Sequence, residues 1–252
     1  MIQSRNGGTS WSKPVEITQT TKRPAGVDIM AFGPNAGVQL KNGPHRGRLL
    51  IPANEGPFGK WVISCIYSDD GGKNWKLGNP TTNQQGMVNE TSIAETDNGG
   101  VVMVARHWGG GNCRRIVWSE DGGETWGKVQ DAPDLFCDST QNSLMTYSLS
   151  DQTAYGNKSR LIFTAPGAGR RVKGTIAMSY DNGKTWPVSK LLGKGGFAYS
   201  STAMVAPGVV GVLYEENANN IKNLKFVPVT IDWLTDGKDT GLPAGQKPPV
   251  FP

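Results

Sequence analysis

The sequence predicts an all-β chain built as a β-propeller, and three observations predict it. Thirty-four glycines and sixteen prolines in 252 residues suit many short strands joined by tight turns better than they suit helices. No segment sustains the 3.6-residue apolar period of an amphipathic helix. One motif, S-x-D-x-G-x-x-W, occurs three times cleanly, as SDDGGKNW (68–75), SEDGGETW (119–126) and SYDNGKTW (179–186). A worn fourth copy, SRNGGTSW (4–11), stands near the start, so the copies recur roughly every 50 to 65 residues, the interval of a propeller blade.

Taken in order, the strand-forming segments are RLLIPA (48–53), WVISCIYS (61–68), GGVVMVARHW (99–108), RRIVWS (114–119), SLMTYS (143–148), RLIFTAP (160–166), GTIAMS (174–179), VVGVLYE (209–215) and LKFVPVTI (224–231). Gly, Pro, Asn or Asp bound most of them, as befits strand ends. In each box the aspartate (Asp70, Asp121, Asp181) is placed to accept backbone N–H groups around the turn. Gly72, Gly123 and Gly183 permit positive φ, and Trp75, Trp126 and Trp186 can pack back onto the hairpin. These boxes are structural. An EF-hand reading fails because the loop lacks carboxylates at the required spacing and a bidentate Glu at its end. In the first copy Asn6 replaces the aspartate while Gly8 and Trp11 remain, so SRNGGTSW reads as the end of a blade whose remainder is absent.

Net charge is +5 and the basic residues are scattered, which argues against nucleic-acid binding and fits a solvated surface or a small anionic ligand. No apolar run approaches the length of a bilayer span. The N-terminus lacks the basic start and apolar stretch of a secretory leader, and the compartment stays open, with an extracellular setting slightly favoured. Cys65, Cys113 and Cys137 are odd in number and widely spaced, so no disulfide framework or zinc pattern follows, and Cys65 in VISCIYS reads as a buried strand thiol. His45 and His107, the two histidines, sit in no metal-ligand spacing, and no P-loop or nucleophile elbow is present. No cofactor or metal is expected.

What remains is a set of polar residues at strand ends: Glu90 before TSIAE, Arg106 ending VVMVAR, Arg170 and Arg171 after TAPGAG, Tyr199 in GFAYSST, and Glu215 closing VVGVLYE. Propeller blades bring such ends together at one mouth of the central channel. Taken singly, each also reads blandly, an arginine as a surface ion pair and a tyrosine as half-buried packing. The boxes together with GPNAGVQL…GRLLIPA (33–53), NETSIAETDNGGVVMVAR (89–106), FCDSTQNSLM (136–145), RRVKGTIAMSYDNGKTW (170–186) and AYSSTAMVAPGVVGVLYE (198–215) resemble the exo-α-sialidases, in order along nearly the whole chain.

That resemblance implies a six-bladed β-propeller of sialidase type, of which residues 1–252 form a single partial domain lacking roughly the first blade and a half. It makes Tyr199 the counterpart of the family's nucleophile and Glu90 the base paired with it. Arg106 matches the second of three arginines that clamp the substrate carboxylate. Arg171 is chosen over Arg170 for the third because its interval to the Ser179 box fits the family spacing. Glu215 matches the glutamate that buttresses the arginine cluster. The residue types suit the chemistry: a guanidinium grips a carboxylate bidentately. A neutral tyrosine approaches an anomeric carbon bearing that carboxylate without the repulsion an Asp or Glu would meet.

The family's first arginine, in an RIP-like motif, and its acid/base aspartate have no counterpart here, and Asp28 in AGVDIMAFGPN does not match the acid's position. Three readings stay open: part of a sialidase, a short protein that binds sialylated glycans without efficient hydrolysis, or a scaffold. A sialylated glycan is the expected ligand. Either an N-terminal partner fragment or a second copy is expected to cover the open flanks.

Overall fold

The computed structural model describes residues 1–83, 87–109, 111–136, 139–168, 170–216 and 223–249. They form four antiparallel sheets, consecutive in the chain, which are the blades of a propeller. Blade one contains β1 (Ile29–Phe32), β2 (Val38–Gln39), β3 (Leu49–Gly56), β4 (Val62–Ser68) and β5 (Lys76–Leu77) in the order β1-β3-β4-β5, with β2 also on β3. Blade two runs β6 (Val88–Glu95), β7 (Val101–His107), β8 (Cys113–Ser119) and β9 (Gln130–Phe136). Blade three runs β10 (Ser143–Ser148), β11 (Arg160–Ala168), β12 (Arg170–Ser179) and β13 (Val188–Leu191). Blade four has β14 (Ser200–Ala206), β15 (Val209–Glu215) and β16 (Leu224–Thr230). Two one-turn α-helices, α1 (Thr18–Thr21) and α2 (Ile231–Leu234), precede β1 and follow β16.

The core lies between blades. Successive strand residues point to opposite faces, and in β7 this sends Val101, Met103 and Ala105 into a layer with Leu50, Ile63 and Cys65 of blade one. Val102 and Val104 go the other way, against Leu144, Leu161 and Phe163 of blade three. That double burial is why GGVVMVAR reads as a continuous apolar run rather than an alternating one. A third layer joins Ile162, Ile176 and Met178 to Phe197, Val210, Val212 and Tyr214 of blade four. Cys65 is fully buried in the first layer, and burial pushes its thiol up to about 12.

The boxes lie between the third and fourth strands of a blade and close by one repeated set of hydrogen bonds. Ser68, Ser119 and Ser179 donate to Asp70, Asp121 and Asp181 at 2.8, 2.7 and 2.8 Å, and accept the N–H of Gly72, Gly123 and Gly183 at 2.9 Å each. Each aspartate then accepts a backbone N–H four residues on, from Asn74, Thr125 or Thr185, at 2.9 Å. The Asn74 N–H and side-chain amide, with the Ser68 hydroxyl, hold the Asp70 carboxyl down at about 2. Trp75 and Trp186 are buried as expected and Trp126 is half-buried.

The second and third boxes also seat on the preceding blade. Gly123 has φ +90°, and a Cβ there would strike Leu50 and lie 2.9 Å from the Cys65 sulfur. Buried Arg48 reaches from blade one to its own Asp69 at 2.6 Å and to Glu124 of the next box at 2.9 Å, stacked over Tyr67. The degenerate first copy keeps the box geometry: Ser4 donates to Asn6 at 3.0 Å, Gly8 N–H bonds Ser4 Oγ at 2.8 Å, and Ser10 N–H bonds Asn6 Oδ1 at 3.0 Å. It closes a short hairpin in which Val15 N–H bonds Met1 O at 2.8 Å and Ser12 N–H bonds Gln3 O at 2.7 Å, outside any sheet.

Candidate active site

The first strands of blades two, three and four lie against one another around the axis, β10 touching both β6 and β14. Small polar side chains stitch them together there. Asn35 Nδ2 donates to Ser92 Oγ at 3.2 Å and Ser143 Oγ at 3.1 Å, and the Ser143 and Thr202 hydroxyls bond at 2.8 Å.

Glu90 is aimed by a bulge. Between Val88, opposite His107, and Thr91, opposite Ala105, two residues of β6 face one of β7. A bulge re-aims the extra side chain, and here the Glu90 carboxylate turns onto Arg106, which ends β7. Glu90 Oε2 accepts Arg106 Nη1 at 2.7 Å, and Arg106 Nε donates to Ser139 Oγ at 3.1 Å. The other oxygen, Oε1, accepts the Tyr199 hydroxyl at 3.5 Å, the outer limit of a hydrogen bond.

Tyr199 stands at the entrance to β14, fixed on three sides. Its backbone pairs with Glu215: Glu215 N–H bonds Tyr199 O at 3.0 Å, and Tyr199 N–H bonds the Glu215 carboxylate at 3.3 Å. Next to it, Ser200 is held by Gln141, whose amide oxygen accepts the Ser200 N–H at 3.1 Å and whose Nε2 donates to the Ser200 carbonyl at 2.9 Å. On the third side, segment 195–197 pairs with the start of β12, with Lys173 N–H on Gly195 O at 3.1 Å and Phe197 N–H on Arg171 O at 2.9 Å. Phe197 packs where a Cβ of Gly174 would be and stacks on Tyr214, ring centres 4.4 Å apart. The pairing delivers Arg171, whose guanidinium carbon lies 5.1 Å from the centre of the Tyr199 ring.

The structure thus brings Glu90, Arg106, Arg171, Tyr199 and Glu215 into one cluster. Glu215 differs in detail from the expectation that it buttresses arginines: its carboxylate serves the Tyr199 backbone, and among the described residues it forms no ion pair with either arginine. Asp28 is exposed just ahead of β1, Cys137 falls outside the described residues, and the side chain of Arg170 is likewise not described. Gln141 and Ser139 were not singled out from the sequence, although both lie in the FCDSTQNSLM segment. A polar pair in an inter-blade connection carries no periodicity that would mark it.

A cavity of about 220 Å³ adjoins the cluster, lined by Gln141, Tyr199, Ser200, Tyr214, Glu215 and Leu224. A larger one, about 720 Å³, lies on blade four between β16, α2 and residues 247–249, where Asp232 and Lys247 are the ionisable lining residues. Its described lining offers neither a nucleophile–base pair nor grouped guanidiniums.

Residues 1–212 match the BNR repeat-like domain family. A sialidase of Micromonospora viridifaciens is 30% identical over 92% of this chain and 35% of its own length. An anhydrosialidase of Macrobdella decora is 31% identical over 93% of this chain and 32% of its own. Among solved structures, a Hadza microbial sialidase superposes with a TM-score of 0.79 at 26% identity, covering 92% of this chain and 44% of that one. A leech intramolecular trans-sialidase complexed with 2,7-anhydro-Neu5Ac gives 0.78 at 29%, covering 92% and 36%. A propeller carrying Asp boxes and a tyrosine–carboxylate–guanidinium cluster at its axis defines the class, and the chain belongs to the sialidase family of BNR-repeat proteins. It spans about a third of the length of these curated relatives.

Proposed function

We propose that the chain carries the catalytic half-site of an exo-α-sialidase, a retaining glycoside hydrolase that releases terminal sialic acid. The observation that carries this reading is the single Glu90 carboxylate shared between Arg106 and the Tyr199 hydroxyl. A lectin has no need of a base placed on a phenol. Arg106 and Arg171 grip the sialic acid carboxylate, which sets the anomeric carbon over Tyr199. The Tyr199 oxygen attacks that carbon as its proton passes to Glu90, and the glycosidic bond breaks toward the leaving oxygen. The flanking guanidiniums stabilise the phenolate character that develops, and water then cleaves the glycosyl-tyrosine. In this reading the four blades belong to a six-bladed ring.

A second reading is favoured by one observation: among the described residues, the carboxylates that hydrogen bonds bring to the cluster are Glu90 and Glu215, both engaged with Tyr199. Neither is free to protonate a leaving group, so the chain binds sialylated glycans well and hydrolyses them slowly. The test is release of a fluorogenic aglycone from an α-sialoside by wild type and Tyr199→Phe. Release of the aryl aglycone and also of galactose from an α-sialyl-galactoside, both abolished by the substitution, supports the hydrolase; saturable binding with release of the aryl aglycone alone, or of neither, supports the second reading; neither binding nor release refutes both.

A further inference from the structure

The candidate site has a neighbour that the reaction above does not use. The connection between β3 and β4 is a tight turn, with Lys60 N–H on Pro57 O at 3.0 Å and Gly59 at φ +75°. That geometry puts Phe58 at the tip, and it is 74% exposed. Behind it the aromatics continue inward: Phe58 meets Trp61 edge to face at 5.2 Å, and Trp61 meets Trp108 edge to face at 5.1 Å. Trp108 in turn lies 5.1 Å from the guanidinium of Arg106. The file runs unbroken from solvent to the arginine that holds Glu90. Trp61 is 6% exposed and gives the tip a rigid base, so Phe58 is held outward rather than folded into the core.

An exposed aromatic ring with a rigid base, beside a charged ligand site, has the form of a binding platform. A pyranose offers one apolar C–H face and a rim of hydroxyls, and the apolar face is what a flat aromatic ring accepts. We propose that Phe58, supported by Trp61 and Trp108, stacks the sugar ring next to the carboxylate-bearing residue, on the leaving-group side of the substrate. Phe58 then sets preference among glycans and takes no part in bond breaking. This rests on the sialoside reading of the Arg106 cluster.

The test is equilibrium binding in a Tyr199→Phe background, where turnover cannot intervene, of methyl α-sialoside and of an α-sialyl-galactoside. Phe58→Ala should weaken the galactoside about 3- to 10-fold and leave the methyl sialoside unchanged, the scale of one aromatic contact. Phe58→Trp should restore the galactoside. Equal affinities of both ligands for Phe58→Ala and its parent, or equal losses for both ligands, overturn the platform while leaving the site reading intact. Failure of the parent to bind either ligand overturns the site reading and the platform with it.

Discussion

Glu90 and Tyr199 are 109 positions apart in the chain and 3.5 Å apart between carboxylate and hydroxyl. Nothing local joins them. A bulge in β6 turns one toward the axis, and the backbone pairing of Tyr199 with Glu215 presents the other. The inter-blade seam through Ser92, Ser143 and Thr202 sets the spacing of the strands that carry them.

Glu90→Gln keeps the shape of the side chain and removes its ability to take a proton. Turnover of an α-sialoside should fall about 10²- to 10⁴-fold. Binding of the intact sialoside should change far less, because the arginines supply it. A kcat loss without a matching loss of affinity is the expected split. Equal loss of both would make Glu90 a positioning group for Arg106 alone.

Leaving-group dependence should be steep. With Glu90 and Glu215 both committed to Tyr199, aryl sialosides whose oxygen departs unprotonated should be cleaved by this chain about 10²- to 10⁴-fold faster than alkyl ones. Comparable rates for the two classes would mean that another group delivers the proton.

Asp239 reaches from the C-terminal segment to blade three, where buried Arg160 bonds it at 2.7 and 2.8 Å and the Tyr180 hydroxyl at 2.9 Å. Burial alone would raise its pKa, but the hydrogen bonds from Arg160 and the Gly241 N–H outweigh it and hold the carboxyl below its ordinary value. A depressed carboxylate stabilises the fold above its unfolded value and stops doing so as pH falls through the folded one. Asp239→Asn should cost about 3–5 kcal/mol at neutral pH, since it leaves a buried guanidinium uncompensated. In urea titrations that gap should narrow as the pH falls below the ordinary carboxylate range and through the depressed folded value.

Two box glycines allow a controlled comparison. Gly123 and Gly183 have φ of +90° and +85°, so Ala at either should carry about 1–2 kcal/mol of left-handed strain. At Gly183 the nearest atom to a new methyl is Leu161 Cδ1 at 3.4 Å, whereas at Gly123 the methyl collides with Leu50 and crowds Cys65. Gly123→Ala should therefore be the worse by about 1–3 kcal/mol in denaturant midpoint measurements. Equal losses would show that the box does not seat tightly on the preceding blade.

The middle strands of the blades were legible because both faces are buried: VVMVA and RLIF have no polar interruption to hide them. The first strands β6 and β14 are not among the strand-forming segments, since NETSIAE and SSTAMVA spend Ser and Thr on the axial seam and present no continuous apolar run. The fourth strands were missed for brevity, β5 having two residues, or for polarity, as in QDAPDLF of β9. Site residues were reached through the family resemblance rather than through pattern. No spacing in the sequence links Arg171 to Tyr199, because the pairing of 171–173 with 195–197 is made by backbone groups that every residue carries.

The claim that Tyr199 is the nucleophile is tested most directly by trapping. A 3-fluorosialosyl fluoride should form a glycosyl-enzyme slow to turn over, and digestion with sequencing by mass spectrometry should find the added sugar on Tyr199, and not in Tyr199→Phe. A label on another residue, or hydrolysis persisting in Tyr199→Phe, would contradict the account.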